Sequence, residues 1–304
     1  MTVSTHQPPS PPPLPNAAAS ANPIVTFGRM VKFSHTIFAL PFALAAAALA
    51  ARGVGLSIPR LVAIIVAMAG ARTAAMGFNR IVDRHIDARN PRTAAREIPR
   101  GLVSTRAAWA LTGLATAAFI GAAATLGPLC LALTPVALVL LFGYSLTKRF
   151  TALCHLFLGL AIASGPAGAW IAVRGDFGWV PGLLMLAVGT WIAGFDVLYA
   201  LADRDFDRAS GLHSIPARLG VRGALVASAA LHAVTVLALA LLLPVAGLGP
   251  LYGFGVAVVT ALLIWEHAMV RPNDLSRLGV AFFNLNGYVS VAYLLAVLGD
   301  VLLR

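Results

Sequence analysis

The sequence predicts an all-α, polytopic membrane protein. Of its 304 residues, 59% are hydrophobic and only 11% are charged, with a mean hydropathy of +0.86, whereas soluble chains carry about 25% charged residues. Apolar runs of about 20 residues, the length that spans a bilayer as a helix, recur along nearly the whole chain. A transmembrane β-barrel would instead show alternating segments of about ten residues. The same composition excludes disordered, collagen-like and disulfide-scaffold chains.

Residues 1–22 are rich in Pro, Ala and Ser and contain no acid, Lys or Arg. Such a segment cannot bury a core and reads as a disordered tail. It lacks the basic and apolar regions of a secretory signal. The remaining residues, 23–304, form one membrane domain in which nine apolar spans are expected. They cover about 34–51, 58–79, 107–126, 129–146, 152–173, 179–201, 223–246, 250–270 and 279–302. The two connections 80–106 and 202–222 are long and dense in charge, which marks them as functional.

The net charge is +11, from 22 Lys and Arg against 11 Asp and Glu. These bases lie mostly in short loops between spans, so they serve orientation and anionic headgroups rather than nucleic acid. With a cytoplasmic N-terminus, seventeen Lys and Arg fall on the cytoplasmic side and four on the other, while Arg72 lies within the second span. Both long loops are therefore expected in the cytoplasm. Cys130 and Cys154 show no metal-ligand spacing and read as small buried apolar residues.

Seven of the eleven acids fall in two clusters. In the first, Asn79, Asp83 and Asp87 stand at i, i+4 and i+8, one face of a helix; in the second, Asp196, Asp203 and Asp207 stand at i, i+7 and i+11, again one face. Asp205 points about 200° away from Asp203. Stacked carboxylates repel, most strongly where water is scarce. A divalent cation removes the conflict, and an oxygen-only ligand set suits Mg²⁺ bridging carboxylates to phosphates. Arg80, Arg84, Arg92, Arg96 and Arg100 follow the first cluster, and Arg204, Arg208 and Arg218 the second, as partners for a diphosphate. The competing reading is a pair of solvated helix ends with local ion pairs.

At these residues the chain resembles the UbiA superfamily of intramembrane aromatic prenyltransferases. The Asn-x-x-x-Asp-x-x-x-Asp motif stands as Asn79, Asp83 and Asp87. The Asp-x-x-Tyr-Ala-x-x-Asp-x-x-x-Asp motif stands as Asp196, Tyr199, Ala200, Asp203 and Asp207. KFSHTIFALPFAL, DARNPRT, IPRG, YSLTKRFT and GLHSIPARLG extend the likeness over about residues 24–303. The likeness is to the 4-hydroxybenzoate polyprenyltransferase branch of ubiquinone synthesis and to relatives in futalosine-route menaquinone synthesis that prenylate a dihydroxynaphthoate. Many 4-hydroxybenzoate enzymes carry Asn-Asp at the start of the first motif, whereas here Arg80 follows Asn79.

The resemblance implies a nine-helix bundle with a central apolar cavity open to the cytoplasm. It also implies Mg²⁺-dependent transfer of a polyprenyl group from its diphosphate to a ring carbon of a hydroxylated aromatic acid, in contact with membrane lipid and without an obligatory protein partner. By match to the motifs, Asn79, Asp83, Asp87, Asp203 and Asp207 are the expected metal ligands, and Asp83, Asp196 and Asp203 the expected catalytic acids. Asp196, about two turns deeper than Asp203, is assigned to the acceptor hydroxyl. Lys148, Arg149 and Arg204 are expected at the diphosphate, with Tyr144 and Tyr199 at substrate. Arg72 is expected to pair with Asp196 or with an acceptor carboxylate.

The remaining polar residues carry milder expectations. His35 suits substrate contact or interfacial anchoring; His155 and His232 are expected as hydrogen-bonded helix residues, and His213 as a solvated loop residue. Asn284 and Asn286 suit bonds across helices. Glu266 is expected to reach the interface or Arg271. A transporter would spread its acids through the depth of several helices, and a porphyrin or glycerophosphate acceptor is set aside only by the family likeness.

Overall fold

The computed structural model describes residues 23–31, 40–280 and 284–303. The tail 1–22 and residues 32–39, with His35 and the start of the first expected span, lie outside the described residues. The described chain is helical, with one isolated β-bridge between Arg271 and Asp274. In order the helices are α1 (Pro23–Met30), α2 (Leu40–Ala51), α3 (Ile58–Val82), α4 (Arg84–Arg89), α5 (Thr105–Leu126), α6 (Pro128–Ala132) and α7 (Thr134–Thr147). There follow α8 (Cys154–Arg174), α9 (Trp179–Tyr199), α10 (Arg204–Ala209), α11 (Ile215–Val245), α12 (Pro250–Met269), α13 (Leu278–Val280) and α14 (Asn286–Leu302).

Six helical stretches are long and apolar enough to cross a membrane: Ile58–Val82, Thr105–Leu126, Cys154–Arg174, Trp179–Ala209, Ile215–Val245 and Pro250–Met269. Helices α2, α7 and α14 are apolar but shorter. They stand where the first, fourth and ninth spans are expected. The fourth is cut at Leu133, where Pro135 restarts the helix in its first turn. Leu114, Val139, Val226, Phe254 and Ile264 face outward and exposed, as side chains in contact with lipid do. The protein is an integral membrane protein.

Lipid tails are as apolar as Leu, so close packing rather than water exclusion must hold the helices together. Small residues supply it. A Cβ on Gly159 of α8 would lie 2.1 Å from the carbonyl oxygen of Gly189 on α9, and one on Gly255 of α12 would lie 2.1 Å from the Ala296 Cβ of α14. Gly159→Ala is therefore expected to push α8 from α9 and cost about 1–3 kcal/mol. A detergent melting curve checks this, and an unshifted transition would contradict the crossing.

Behind α9 sits the aromatic part of the core. Phe42 stacks on Tyr293 with ring centroids 4.6 Å apart and lies 4.9 Å from Trp191. The Trp191 indole donates to Asn286 Oδ1 at 2.8 Å, and Asn286 Nδ2 donates to Glu266 Oε1 at 2.8 Å. Glu266 is thus buried among helices, at 1% exposure, instead of reaching the interface or Arg271. Asn286 makes the expected cross-helix bond. His232 does likewise, contacting His267 Nε2 at 2.9 Å through Nδ1. Helix α9 itself packs between α8 and α11.

Candidate active site

Both acidic motifs sit at helix breaks. Helix α3 ends at Val82, and Asp83 occupies the joint with α4 at φ −89°, ψ 0°. Helix α9 ends at Tyr199, a 3₁₀ turn covers Ala200–Asp203, and Asp203 leads into α10 at φ −104°, ψ 0°. The single-face spacing read from sequence therefore bends at Asp83 and at Asp203. The bends do not scatter the carboxylates: Asp83, Asp87, Asp196, Asp203 and Asp207 all line one cavity of about 390 Å³. Arg72, Arg80, Arg92, Arg96 and Lys148 line it too, so five bases face five acids. Deeper in, the wall is apolar, with Met68, Leu141, Leu158, Ile162, Ile192 and Phe195.

Each carboxylate of the mouth has a cationic neighbour. Arg149 Nη2 donates to Asp83 Oδ1 at 2.7 Å, and Asn79 Nδ2 to Asp83 Oδ2 at 3.0 Å. Arg96 Nη1 donates to Asp87 Oδ1 at 2.6 Å. Arg92 grips Asp203 with two nitrogens, Nε at 2.8 Å from Oδ1 and Nη2 on Oδ2. Lys148 Nζ stands 2.9 Å from Asp207 Oδ1 as an ion pair rather than an aligned hydrogen bond. Burial works against the Lys148 ammonium, but the Asp207 carboxylate outweighs it and raises its pKa. The Arg92 guanidinium follows the same balance, with Asp203 prevailing over burial.

The 90–96 segment ties the two motifs together. Asn90 Oδ1 accepts from the Arg92 backbone N–H at 3.0 Å, closing a local turn, while its Nδ2 donates to Asp203 Oδ1 at 2.9 Å. Thr93 Oγ1 donates to the Asp87 carbonyl at 3.1 Å. This turn brings Arg92 back over the second motif and Arg96 back over the first. Arg92 Nη1 also donates to Tyr199 Oη at 2.9 Å, and its guanidinium lies 5.0 Å from the Tyr199 ring centre.

Of the residues singled out from sequence, Asn79, Asp83, Asp87, Asp196, Asp203, Asp207, Arg72, Tyr144, Lys148 and Tyr199 line the cavity. Arg149 stands outside the lining, holding Asp83 from behind. Arg204 is not in it either: its Nε donates to Asp205 Oδ1 at 2.8 Å, and Asp205 is 81% exposed. Arg72 does not pair with Asp196; its Nη1 donates to the Val31 carbonyl at 3.4 Å. Asp196 is held instead by His155 Nδ1 at 2.7 Å. His213 is exposed. Asn90 and His155 are lining residues that sequence reasoning did not select; for Asn90 the Asn-Pro-Arg turn was a signal, for His155 there was none beyond a lone polar residue in an apolar run.

Buried oxygens are left over. Asp87 Oδ2 and Asp207 Oδ2 have no hydrogen-bond partner. Among the described residues no three His, Cys, Asp or Glu groups converge into a closed metal cage. An open, all-oxygen set with spare lone pairs fits a hard cation that keeps waters and shares its coordination with phosphates.

The pattern of the UbiA prenyltransferase family matches residues 39–288, most of the chain. The chain belongs to the UbiA prenyltransferase family. It is 30% identical over 227 residues to a 4-hydroxybenzoate octaprenyltransferase of Vibrio campbellii, covering 75% of this chain and 79% of that protein. With the protein of the same name from Nitrosospira multiformis it shares 30% identity over 260 residues, 84% of this chain and 87% of the relative. Among solved structures, the apo form of a UbiA homolog from Aeropyrum pernix K1 superposes with a TM-score of 0.81 at 36% identity, covering 88% of this chain and 98% of that one. A UbiA homolog from Archaeoglobus fulgidus bound to DMAPP and Mg²⁺ shares the fold, with a TM-score of 0.66 at 20% identity over 88% of this chain and 99% of that one. This UbiA chain is thus a membrane-embedded prenyltransferase.

Proposed function

We propose that this enzyme transfers a polyprenyl group from polyprenyl diphosphate to a ring carbon of 4-hydroxybenzoate, with Mg²⁺ as cofactor. The observation that carries the reading is that both Asp motifs line one cavity whose mouth is charged and whose depth is apolar. The names borne by the relatives support 4-hydroxybenzoate as acceptor; a dihydroxynaphthoate is the alternative. Six long and three shorter apolar helices support nine spans, the positive-inside count supports an N-terminus and active-site loops in the cytoplasm, and the bacterial relatives support a bacterial-type inner membrane.

Asn79, Asp83, Asp87, Asp203 and Asp207 would hold the metal, which when bound would neutralise charge gathering on the leaving diphosphate. The chain's own residues do the rest. Arg92, Arg96 and Lys148, already gathered at the mouth, meet the phosphate oxygens. As the C1–O bond of the donor breaks, its electron pair leaves with the diphosphate. The apolar wall of Met68, Leu158 and Ile162 houses the isoprenoid and keeps water from the allylic cation. Asp196 accepts the proton of the acceptor phenol as the ring carbon bonds to C1. The ring-carbon proton then passes to an oxygen of the departing diphosphate, Asp196 returns its proton to the phenolate oxygen, and aromaticity is restored.

Arg72 is the base nearest the apolar depth and is the proposed partner of the acceptor carboxylate. Arg72→Ala is expected to raise KM for 4-hydroxybenzoate about 10- to 100-fold, the worth of a charge-assisted hydrogen bond, with the donor KM changed less than about twofold. The reverse ranking removes Arg72 from the acceptor site. The reading as a whole is tested with membranes supplied with Mg²⁺, a polyprenyl diphosphate and, in parallel, 4-hydroxybenzoate or dihydroxynaphthoates. Prenylated 4-hydroxybenzoate supports it; prenylated naphthoate alone transfers it to the alternative acceptor; no product with any of them overturns it.

A further inference from the structure

We infer that His155 is a positioning residue that holds Asp196 as an oriented carboxylate for the acceptor phenol, an assignment that rests on the proton-accepting role proposed above. Two hydrogen bonds carry it. His155 Nδ1 lies 2.7 Å from Asp196 Oδ2, and His155 Nε2 lies 3.3 Å from the backbone nitrogen of Ile215. A backbone amide can only donate, so Nε2 must be the acceptor. The imidazole proton then sits on Nδ1 and points at Asp196, which receives it as a carboxylate. One neutral tautomer satisfies both contacts.

Burial separates the two roles. The His155 side chain is 3% exposed and the Asp196 side chain 26%. The imidazole thus backs the carboxylate while Asp196 keeps an open side toward the cavity. The anchor is also informative. Ile215 opens α11 just after Ser214, whose Oγ accepts from the Ala217 N–H at 3.2 Å. The preceding residue, His213, donates its backbone N–H to the Lys148 carbonyl at 2.8 Å. The start of α11 therefore fixes the imidazole and, two residues earlier, the segment carrying Lys148. The acceptor base and a diphosphate base are set by one turn of chain. A base held by a third group that fixes its orientation recurs wherever proton transfer must be aimed.

The test compares His155→Leu, which keeps bulk but no donor, with His155→Asn, whose amide nitrogen takes the place of Nδ1. The dyad predicts that His155→Leu lowers kcat by about 10- to 100-fold while leaving the donor KM within about twofold. His155→Asn should recover most of the lost kcat. A Leu variant with wild-type kcat, or Leu and Asn variants equally impaired, overturns it. An independent arm uses ¹⁵N-histidine NMR of the purified protein: the signals assigned through His155→Asn should show the neutral Nδ1–H tautomer and shift in Asp196→Asn. An Nε2–H tautomer, or signals indifferent to Asp196, refutes the dyad even in a protein that prenylates no aromatic acid. Absence of transfer by wild type with a correct NMR signature instead refutes the proposed reaction and leaves the dyad standing.

Discussion

Replacing either Asp83 or Asp203 by Ala is expected to cut Mg²⁺-dependent prenyl transfer by about 10³-fold or more, the scale on which charge stabilisation at a leaving group contributes. The two acids belong to different motifs, on different helices, yet line the same cavity. Each is also the hub of its own set of donors: Asn79 and Arg149 on Asp83, Asn90 and Arg92 on Asp203. On the proposed metal assignment, loss of one carboxylate removes an anchor for the cation, and it leaves an arginine without its partner. The arginines are about one-third exposed, so water compensates them and the bundle should still insert. The helix crossings and the aromatic core around Trp191 lie on other residues. Membrane-fraction yield and melting temperature should therefore match wild type while turnover of a labelled donor vanishes. Full turnover in either variant would refute the metal assignment.

Asp196→Asn is expected to lower kcat by about 10²- to 10⁴-fold, the usual worth of a positioned general base, without weakening the donor. Asn preserves the shape of the side chain and can still accept from His155, so packing is undisturbed; what disappears is the ability to take a proton. Because Asp196 lies within α9, seven residues before Asp203 and across the 3₁₀ turn from it, the diphosphate end should be indifferent to the change. Separate KM values for donor and acceptor, with kcat at saturation, check this. An unchanged kcat would remove Asp196 from proton transfer.

The parts of the fold that depend on hydrophobic length were legible in the sequence. Six long apolar helices stand where spans were expected, because a run of about 20 apolar residues has few alternatives to a membrane helix. Lengths set by local breaks were not: Pro135 restarts the helix after Leu133, and nothing in hydropathy marks that cut. At the site, the motif carboxylates were legible because acids are so few. Their partners were harder. Arg92 and Arg96 were recognisable as nearby bases, but their positions depend on Asn90 bridging its own turn and Asp203, a contact across more than a hundred residues. His155 offered no spacing signal, since its meaning lies in Asp196 and the Ile215 amide. Glu266 defeated the local expectation for the same reason: its bond goes to Asn286 on another helix, not to the Arg271 nearby in sequence.

Binding of an unreactive polyprenyl thiolodiphosphate, measured calorimetrically with and without Mg²⁺, goes most directly to whether the two motifs make one site. Wild type should bind one equivalent, and only with Mg²⁺. Asp83→Ala and Asp203→Ala should each lose most of that affinity, and the double variant should lose far less than the two effects summed, as residues serving one bound ion must. Additive losses, or a motif whose removal leaves Mg²⁺-dependent binding intact, would show that the two acidic rows act apart.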